Sequence, residues 1–313
     1  MKTIRQFTAI GEAMIELRHL SERQLNMNFA GDTLNVATYL ARYTQQTQVQ
    51  VNYTTALGHD HYSHLMIQQW QQENINTQMV YQLPDKLPGL YLIHNDEQGE
   101  RNFYFYRSQS AARELFKGAH REALTNQLTN MNYWYLSLIS LAILDNSSRE
   151  YLFYLLADAK KNGATIIFDS NYRPALWPDR STAQTIYQTI AQYIDIVLPT
   201  FDDEQKLFDD KSPQACAERL HQWGIQEVVI KQGDNPCYIS TTQEQIHIPA
   251  EKVTHVIDTT AAGDSFNAGY LAARMQNYLP AHAARCGHQL ASVVITYPGA
   301  IIPLDKMPPL FNK

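Results

Sequence analysis

The sequence predicts an α/β fold, with a mostly parallel central sheet between two layers of helices and a small β insertion on top. Three observations predict it. Short apolar runs alternate with helical stretches along most of the 313 residues, the rhythm of right-handed βαβ units. Between about 78 and 110 that rhythm gives way to consecutive β-rich runs. No internal repeat or low-complexity linker divides the chain, so residues 1–313 are expected to form one domain.

Residues 7–10 form a short buried strand that ends at the Gly11-Glu12 turn. A helix opens at Ala30-Gly31-Asp32-Thr33 and runs to about Tyr43, with Asp32 or Thr33 as cap and Leu34, Ala37, Leu40 and Ala41 as its apolar face. Residues 51–56 are a strand, and Gly58-His59-Asp60 leads into a helix ending near Gln72. Met79 and Tyr81, then 90–93, then 101–106 are the β-rich runs. The polar cluster 95–99 turns the last two into a hairpin. Segments 12–30 and 78–110 together are expected to make a small sheet placed as a lid. Strands follow at 133–136, 165–168, 194–198 and 227–230, separated by helices at about 149–162, 181–193, 203–208 and 213–223. A hairpin over 237–240 and 245–248 and helices over 263–276 and 280–296 complete the reading.

Composition narrows the function. Hydrophobic residues are 44% and charged residues 18% of the chain, ample for a core, and the net charge of -6 is the wrong sign for a nucleic-acid binder. Cys216, Cys237 and Cys286 are too far apart for a CxxC pair or metal spacing, which fits free thiols in a reducing compartment. The first residues lack a signal-peptide pattern, and no apolar run approaches about 18 residues. The expectation is a cytoplasmic protein that engages neither membrane nor nucleic acid.

The segment 258–266, DTTAAGDSF, carries the chemistry. Small residues there precede a helix with apolar Phe266, Ala268, Tyr270, Leu271 and Ala272, so backbone N–H groups face outward at its start. Helix starts carry unsatisfied donors and partial positive charge, and they bind phosphate. Asp264 beside such a phosphate reads either as a helix cap or as a base that takes a proton from an attacking hydroxyl. Lys231-Gln232-Gly233-Asp234 places a glycine turn at the carboxyl end of a strand, where ligands bind in such sheets.

DTTAAGD resembles the C-terminal signature of the ribokinase-like (PfkB) carbohydrate kinases, DTxGAGD, with Ala261 where glycine is commonest. AGDTLNVA at 30–37 resembles the family's GGxxxNVA, and Gly58-His59-Asp60 matches its GxD. The resemblance implies a three-layer α/β/α ribokinase-like fold, with Asp264 as base and Ala261, Ala262 and Gly263 in its anion hole. It implies ATP contacts at Asn171, Lys231, Gly233, Asp234, Ala261, Ala262, Gly263, His288 and Ser292. The NxxE metal motif is altered to Thr200 and then Asp203 or Glu204, either of which could hold Mg²⁺, whose preference is for oxygen ligands. Asp258 and Thr260 match positions that hold a monovalent cation, K⁺, in some relatives.

Two further segments resemble the branch of the family that phosphorylates a 2-keto-3-deoxy sugar acid: PGLYL at 88–92 with the tyrosine-rich strand ending in Arg107, and Asn171-Tyr172-Arg173. That resemblance implies acceptor contacts at Gly31, Asp32, Asn35, Tyr91, Tyr104, Tyr106, Arg107, Arg173 and Asp264. Two arginines suit a carboxylate, which they grip in a bidentate fork. A kinase of a neutral sugar such as fructose or ribose, or a sugar-binding regulator without catalysis, are the competing readings. A homodimer is expected through the aromatic face of the insertion.

Overall fold

A computed structural model describes residues 4–95 and 101–310. In chain order the strands and helices are β1 (Arg5–Ile10), β2 (Met14–Ser21), β3 (Gln24–Ala30), α1 (Asp32–Thr44), β4 (Val49–Leu57), α2 (His61–Gln72), β5 (Val80–Gln82), β6 (Gly89–Asn95) and β7 (Arg101–Tyr106). There follow α3 (Arg121–Leu128), β8 (Tyr133–Ser137), α4 (Leu138–Ala142), α5 (Asn146–Lys161), β9 (Thr165–Asp169), α6 (Arg180–Ala191), β10 (Ile196–Val197), α7 (Phe201–Phe208) and α8 (Pro213–Gln222). The chain closes with β11 (Glu227–Gln232), β12 (Asn235–Thr241), β13 (Gln245–Ile248), α9 (Ala262–Arg274) and α10 (Pro280–Val294).

The main sheet has nine strands in the order β13-β12-β11-β10-β9-β8-β1-β4-β5. Strands β5 through β11 of that order run parallel, and β12 and β13 return antiparallel as the expected hairpin. From β1 the chain first builds outward through β4 and β5, then resumes on β1's other side with β8. The strand order therefore reverses between β1 and β8, and the crevice at the carboxyl ends of these strands is where ligands bind in such sheets. Two apolar layers cover the sheet. Leu34, Met66, Leu271 and Leu290 belong to the layer of α1, α2, α9 and α10. Leu124, Leu152, Tyr187 and Leu220 belong to that of α3, α5, α6 and α8.

The second sheet has four strands, β3-β2-β6-β7. The expected small sheet is therefore present, with one difference. The run at Met79 and Tyr81 does not join it: β5 pairs with β4 and extends the main sheet. The 12–30 segment supplies β2 and β3, which pair as a hairpin. The turn expected at 95–99 falls mostly outside the described residues.

Helices α9 and α10 approach closely because glycine faces the neighbouring backbone on both. A Cβ on Gly269 would lie 2.8 Å from the Cys286 carbonyl oxygen, and one on Gly287 would lie 2.8 Å from that of Phe266. Gly287→Ala should force the pair apart and destabilise the protein by about 1–3 kcal/mol, the usual range for overpacking. Urea unfolding would read this as a lower midpoint with an unchanged slope.

Candidate active site

The start of α9 is shaped by one carboxylate. Asp258 Oδ1 accepts from the Thr260 amide at 2.9 Å and from its hydroxyl at 2.6 Å, and Oδ2 accepts from the Gly299 amide at 3.1 Å. These bonds fold the loop so that the helix begins after Ala261. The Ala262 amide turns back to the Thr259 carbonyl at 3.2 Å. The amides of Gly263 and Asp264 lie in the first turn, where a helix supplies no acceptor of its own. Asp264 is buried there, and its Oδ2 accepts from Asn35 Nδ2 of α1 at 2.8 Å.

Below it, at the carboxyl ends of β9 and β11, lies a hydrogen-bonded knot. Asp169 Oδ2 accepts from Lys231 Nζ at 3.0 Å and from Asn267 Nδ2 at 2.7 Å, while Lys231 Nζ also donates to Asn267 Oδ1 at 2.9 Å. Tyr135 closes the knot by accepting from Asn267 at 3.0 Å. Lys231 Nζ sits 3.5 Å from where a Cβ on Gly263 would be, so its charge lies under the helix start. Asn171, at φ 25°, donates to Asp32 Oδ2 at 2.9 Å. Asp264 is thereby surrounded by other acids. Burial, and then the charge of Asp32, raise its pKa to about 8; Asn35 opposes the shift, Asp169 adds to it and Lys231 opposes it.

The second sheet presents one face to this crevice, and strand parity decides which residues lie on it. Tyr91 is opposite Phe105 and beside Glu16 in register. Its ring packs near Phe103 and Phe105, its hydroxyl donates to buried Glu16, and the Arg107 guanidinium lies 5.8 Å from the Phe105 ring centre. Tyr104 and Tyr106 alternate onto the other face, opposite Leu92 and Leu90 in register. They are thus not brought to Tyr91, and the aromatic between them, Phe105, takes the position expected of them. Period-two alternation back from Arg107 was the available signal; the abundance of tyrosine hid it. Glu12 and Glu16 were also missed. Glu12 is ion-paired with Arg107, and burial pushes the Glu16 carboxyl up, opposed by the Tyr91 bond.

The two candidate metal acids separate. Glu204 is 0% exposed and accepts from Arg219 at 2.7 Å and Tyr187 at 3.2 Å, so its carboxylate is turned to α6 and α8 and not to the crevice. Asp203 remains. It pairs with Arg173 at 3.2 Å, and its carboxyl is pushed up by burial, opposed by Arg173, with Asp169 adding. As a hard oxygen donor beside the crevice it fits Mg²⁺, directly or through water. Asp258 is different: besides its loop bonds it faces the Arg18 guanidinium at 3.6 Å. A buried acid so compensated does not call for a further cation, and the K⁺ expectation finds no support there.

Gly233, at φ 61°, and Asp234 form the exposed turn between β11 and β12. His288 is buried against Phe266 and within 3.2 Å of the Ile248 carbonyl, its pKa lowered by burial. Ser292 donates to Glu251 at 3.1 Å. His288 thus faces the end of β13 and Ser292 the segment after it, rather than the knot.

The pattern of the pfkB family carbohydrate kinases matches residues 5–307. The chain belongs to this family. It is similar to the 2-dehydro-3-deoxygluconokinase of Escherichia coli (strain K12), with 43% identity over 97% of this chain and 99% of that one. The enzyme of that name from Dickeya dadantii (strain 3937) is 43% identical over 98% and 99%. Among solved structures, fructokinase with bound ATP from Xylella fastidiosa superposes with a TM-score of 0.80 at 22% identity, covering 97% of this chain and 95% of that one. A pfkB kinase with this crevice is a sugar phosphotransferase, and among its described residues no helix is long and apolar enough to cross a membrane.

With its pKa raised to about 8, the Asp264 carboxyl is mostly protonated at neutral pH. The kcat/KM of this kinase should therefore fall as pH drops below about 8, since that quantity reports groups of the free enzyme. In Asn35→Ala the carboxylate loses a donor that favours its charged form, so the acidic limb should move to higher pH. A pH profile of both proteins checks the direction.

Proposed function

We propose that this kinase transfers the γ-phosphoryl group of ATP to the 6-hydroxyl of 2-dehydro-3-deoxygluconate, giving ADP and 2-dehydro-3-deoxy-6-phosphogluconate. The observation that carries the reading is Arg107, a buried cation on the face of the second sheet that also bears Tyr91, with its Nε buried and without a hydrogen-bond partner among the described residues. A guanidinium held so, with exposed Arg173 across the crevice, suits a carboxylate better than a neutral sugar. The extensive identity to 2-dehydro-3-deoxygluconokinases supports the same substrate.

In this reading the acceptor lies between Gly31, Asp32 and Asn35 of the body and Tyr91 and Phe105 of the lid. Asp264 takes the proton of the 6-hydroxyl as its oxygen bonds to the γ-phosphorus and the bond to the ADP oxygen breaks. Amides of the first turn of α9, Gly263 above all, and the Lys231 charge beneath them stabilise the phosphoryl oxygens as charge builds, the main lever in phosphoryl transfer. Asp203 would hold Mg²⁺, which when bound neutralises charge on the nucleotide phosphates. No step is assigned to a monovalent cation. Asn171, Gly233 and Asp234 line the nucleotide side, with His288 and Ser292 toward its far end. The outer lid face, with Leu25, Met27, Tyr104 and Tyr106 exposed, suits pairing of two copies, and the cytoplasm suits the reaction.

Incubation with Mg-ATP and, separately, 2-dehydro-3-deoxygluconate, fructose and ribose should release ADP with the keto-acid far above either sugar. Release with fructose or ribose alone would sink the sugar-acid assignment. Asp264→Asn should lower kcat about 10²–10⁴-fold, the usual share of a general base. Arg107→Glu should raise KM for the keto-acid at least tenfold while changing KM for ATP little.

A further inference from the structure

Glu12 is the first residue after the glycine that ends β1, and it stands where the chain leaves the main sheet for the second one. Its side chain is almost wholly buried and pairs with the Nη2 of Arg107, which is itself buried at the far end of β7. The contact thus spans from the body's first strand to the last strand of the lid. The surroundings are fitted to it. A Cβ on Gly89 would lie 2.8 Å from Glu12 Oε1 and 3.2 Å from the Arg107 Cβ, so only glycine leaves room for the pair over β6. On the other side the Glu12 carbonyl oxygen would stand 2.2 Å from a Cβ on Gly31, which fixes the backbone of Glu12 against the start of α1. Arg107 is therefore held at Nη2 by an ion pair, while its Nε has no hydrogen-bond partner among the described residues.

We propose that Glu12 is a positioning residue for substrate specificity: it fixes the Arg107 guanidinium in the orientation that receives the acceptor's carboxylate. The inference rests on the reading of Arg107 given above. An arginine side chain is long and rotamer-rich, and ordering it at the moment of binding costs affinity. A fixed carboxylate partner removes that cost beforehand. Glu12 touches neither the reacting hydroxyl nor ATP in this arrangement, so its loss should appear in acceptor affinity and selectivity and not in the chemical step.

The test compares full-length wild type, Arg107→Gln, Glu12→Gln, Glu12→Asp and Gly89→Ala, using 2-dehydro-3-deoxygluconate as acceptor and fructose as the neutral control. Glu12→Gln should raise KM for the keto-acid about tenfold, leave KM for ATP within about twofold, lower kcat less than about threefold, and narrow the preference for keto-acid over fructose. Glu12→Asp, which keeps the charge, should recover most of the loss. Gly89→Ala keeps both charges and crowds the pair, so it should show the same KM pattern even if Glu12→Gln fails to fold. If Arg107→Gln raises KM but Glu12→Gln and Gly89→Ala do not, Glu12 has no positioning role and the sugar-acid reading survives. If KM for ATP rises as much as KM for the keto-acid, or Glu12→Asp is as impaired as Glu12→Gln, the effect is general packing and the proposal is overturned. If Arg107→Gln itself leaves KM unchanged, both the proposal and the reading beneath it fail.

Discussion

Everything in the crevice depends on keeping several carboxylates together at the end of one sheet. Asp32, Asp169, Asp203 and Asp264 converge from four different elements, and Lys231 is the buried cation hydrogen-bonded within the group. Like charges at such proximity are costly in a medium that screens poorly. The fold meets that cost in three ways. Asp169 is tied to Lys231 and Asn267, Asp203 is paired with Arg173, and Asp264 is left with one amide donor and a strong tendency to hold its proton. The acid left with a strong tendency to hold its proton, Asp264, is the one at the start of α9, where the proposed reaction would bring phosphate and hydroxyl together.

Much of this arrangement was legible before any coordinates. Asp264, Asn35, Asp32, Lys231 and Asn171 were singled out from two short motifs and from strand ends, and the structure gathers them into hydrogen-bonded contact or close electrostatic reach. Motifs of that kind are legible through their resemblance to the family's signatures, since small residues before a helix and a glycine after a strand also serve ordinary caps and turns. The parallel sheet was equally legible, since buried strands read as continuous apolar runs.

What could not be read depends on orientation. Asp203 and Glu204 are neighbours in sequence, yet successive helix positions are about 100° apart, so one faces the crevice and the other Arg219. Tyr104, Phe105 and Tyr106 differ only by strand parity, and which parity faces inward is set by the pairing of β6 with β2. Glu12 offered no motif because its partner lies 95 positions along the chain. The Arg18 contact to Asp258 was hidden for the same reason: long-range ion pairs leave no local signature.

The second sheet is spliced into the body at four places, because β2–β3 and β6–β7 enter and leave it separately. Three of those junctions lie beside Glu12, at Ala13, Gly31 and Gly89, where an added methyl on either glycine would strike it, and the fourth is Arg107 itself. A flap on one flexible stalk can swing widely. Four crossings gathered along one edge make a broad hinge instead: the panel can tilt toward the crevice but not twist or slide across it, so each approach to the acceptor brings the same residues of the second sheet to the same place.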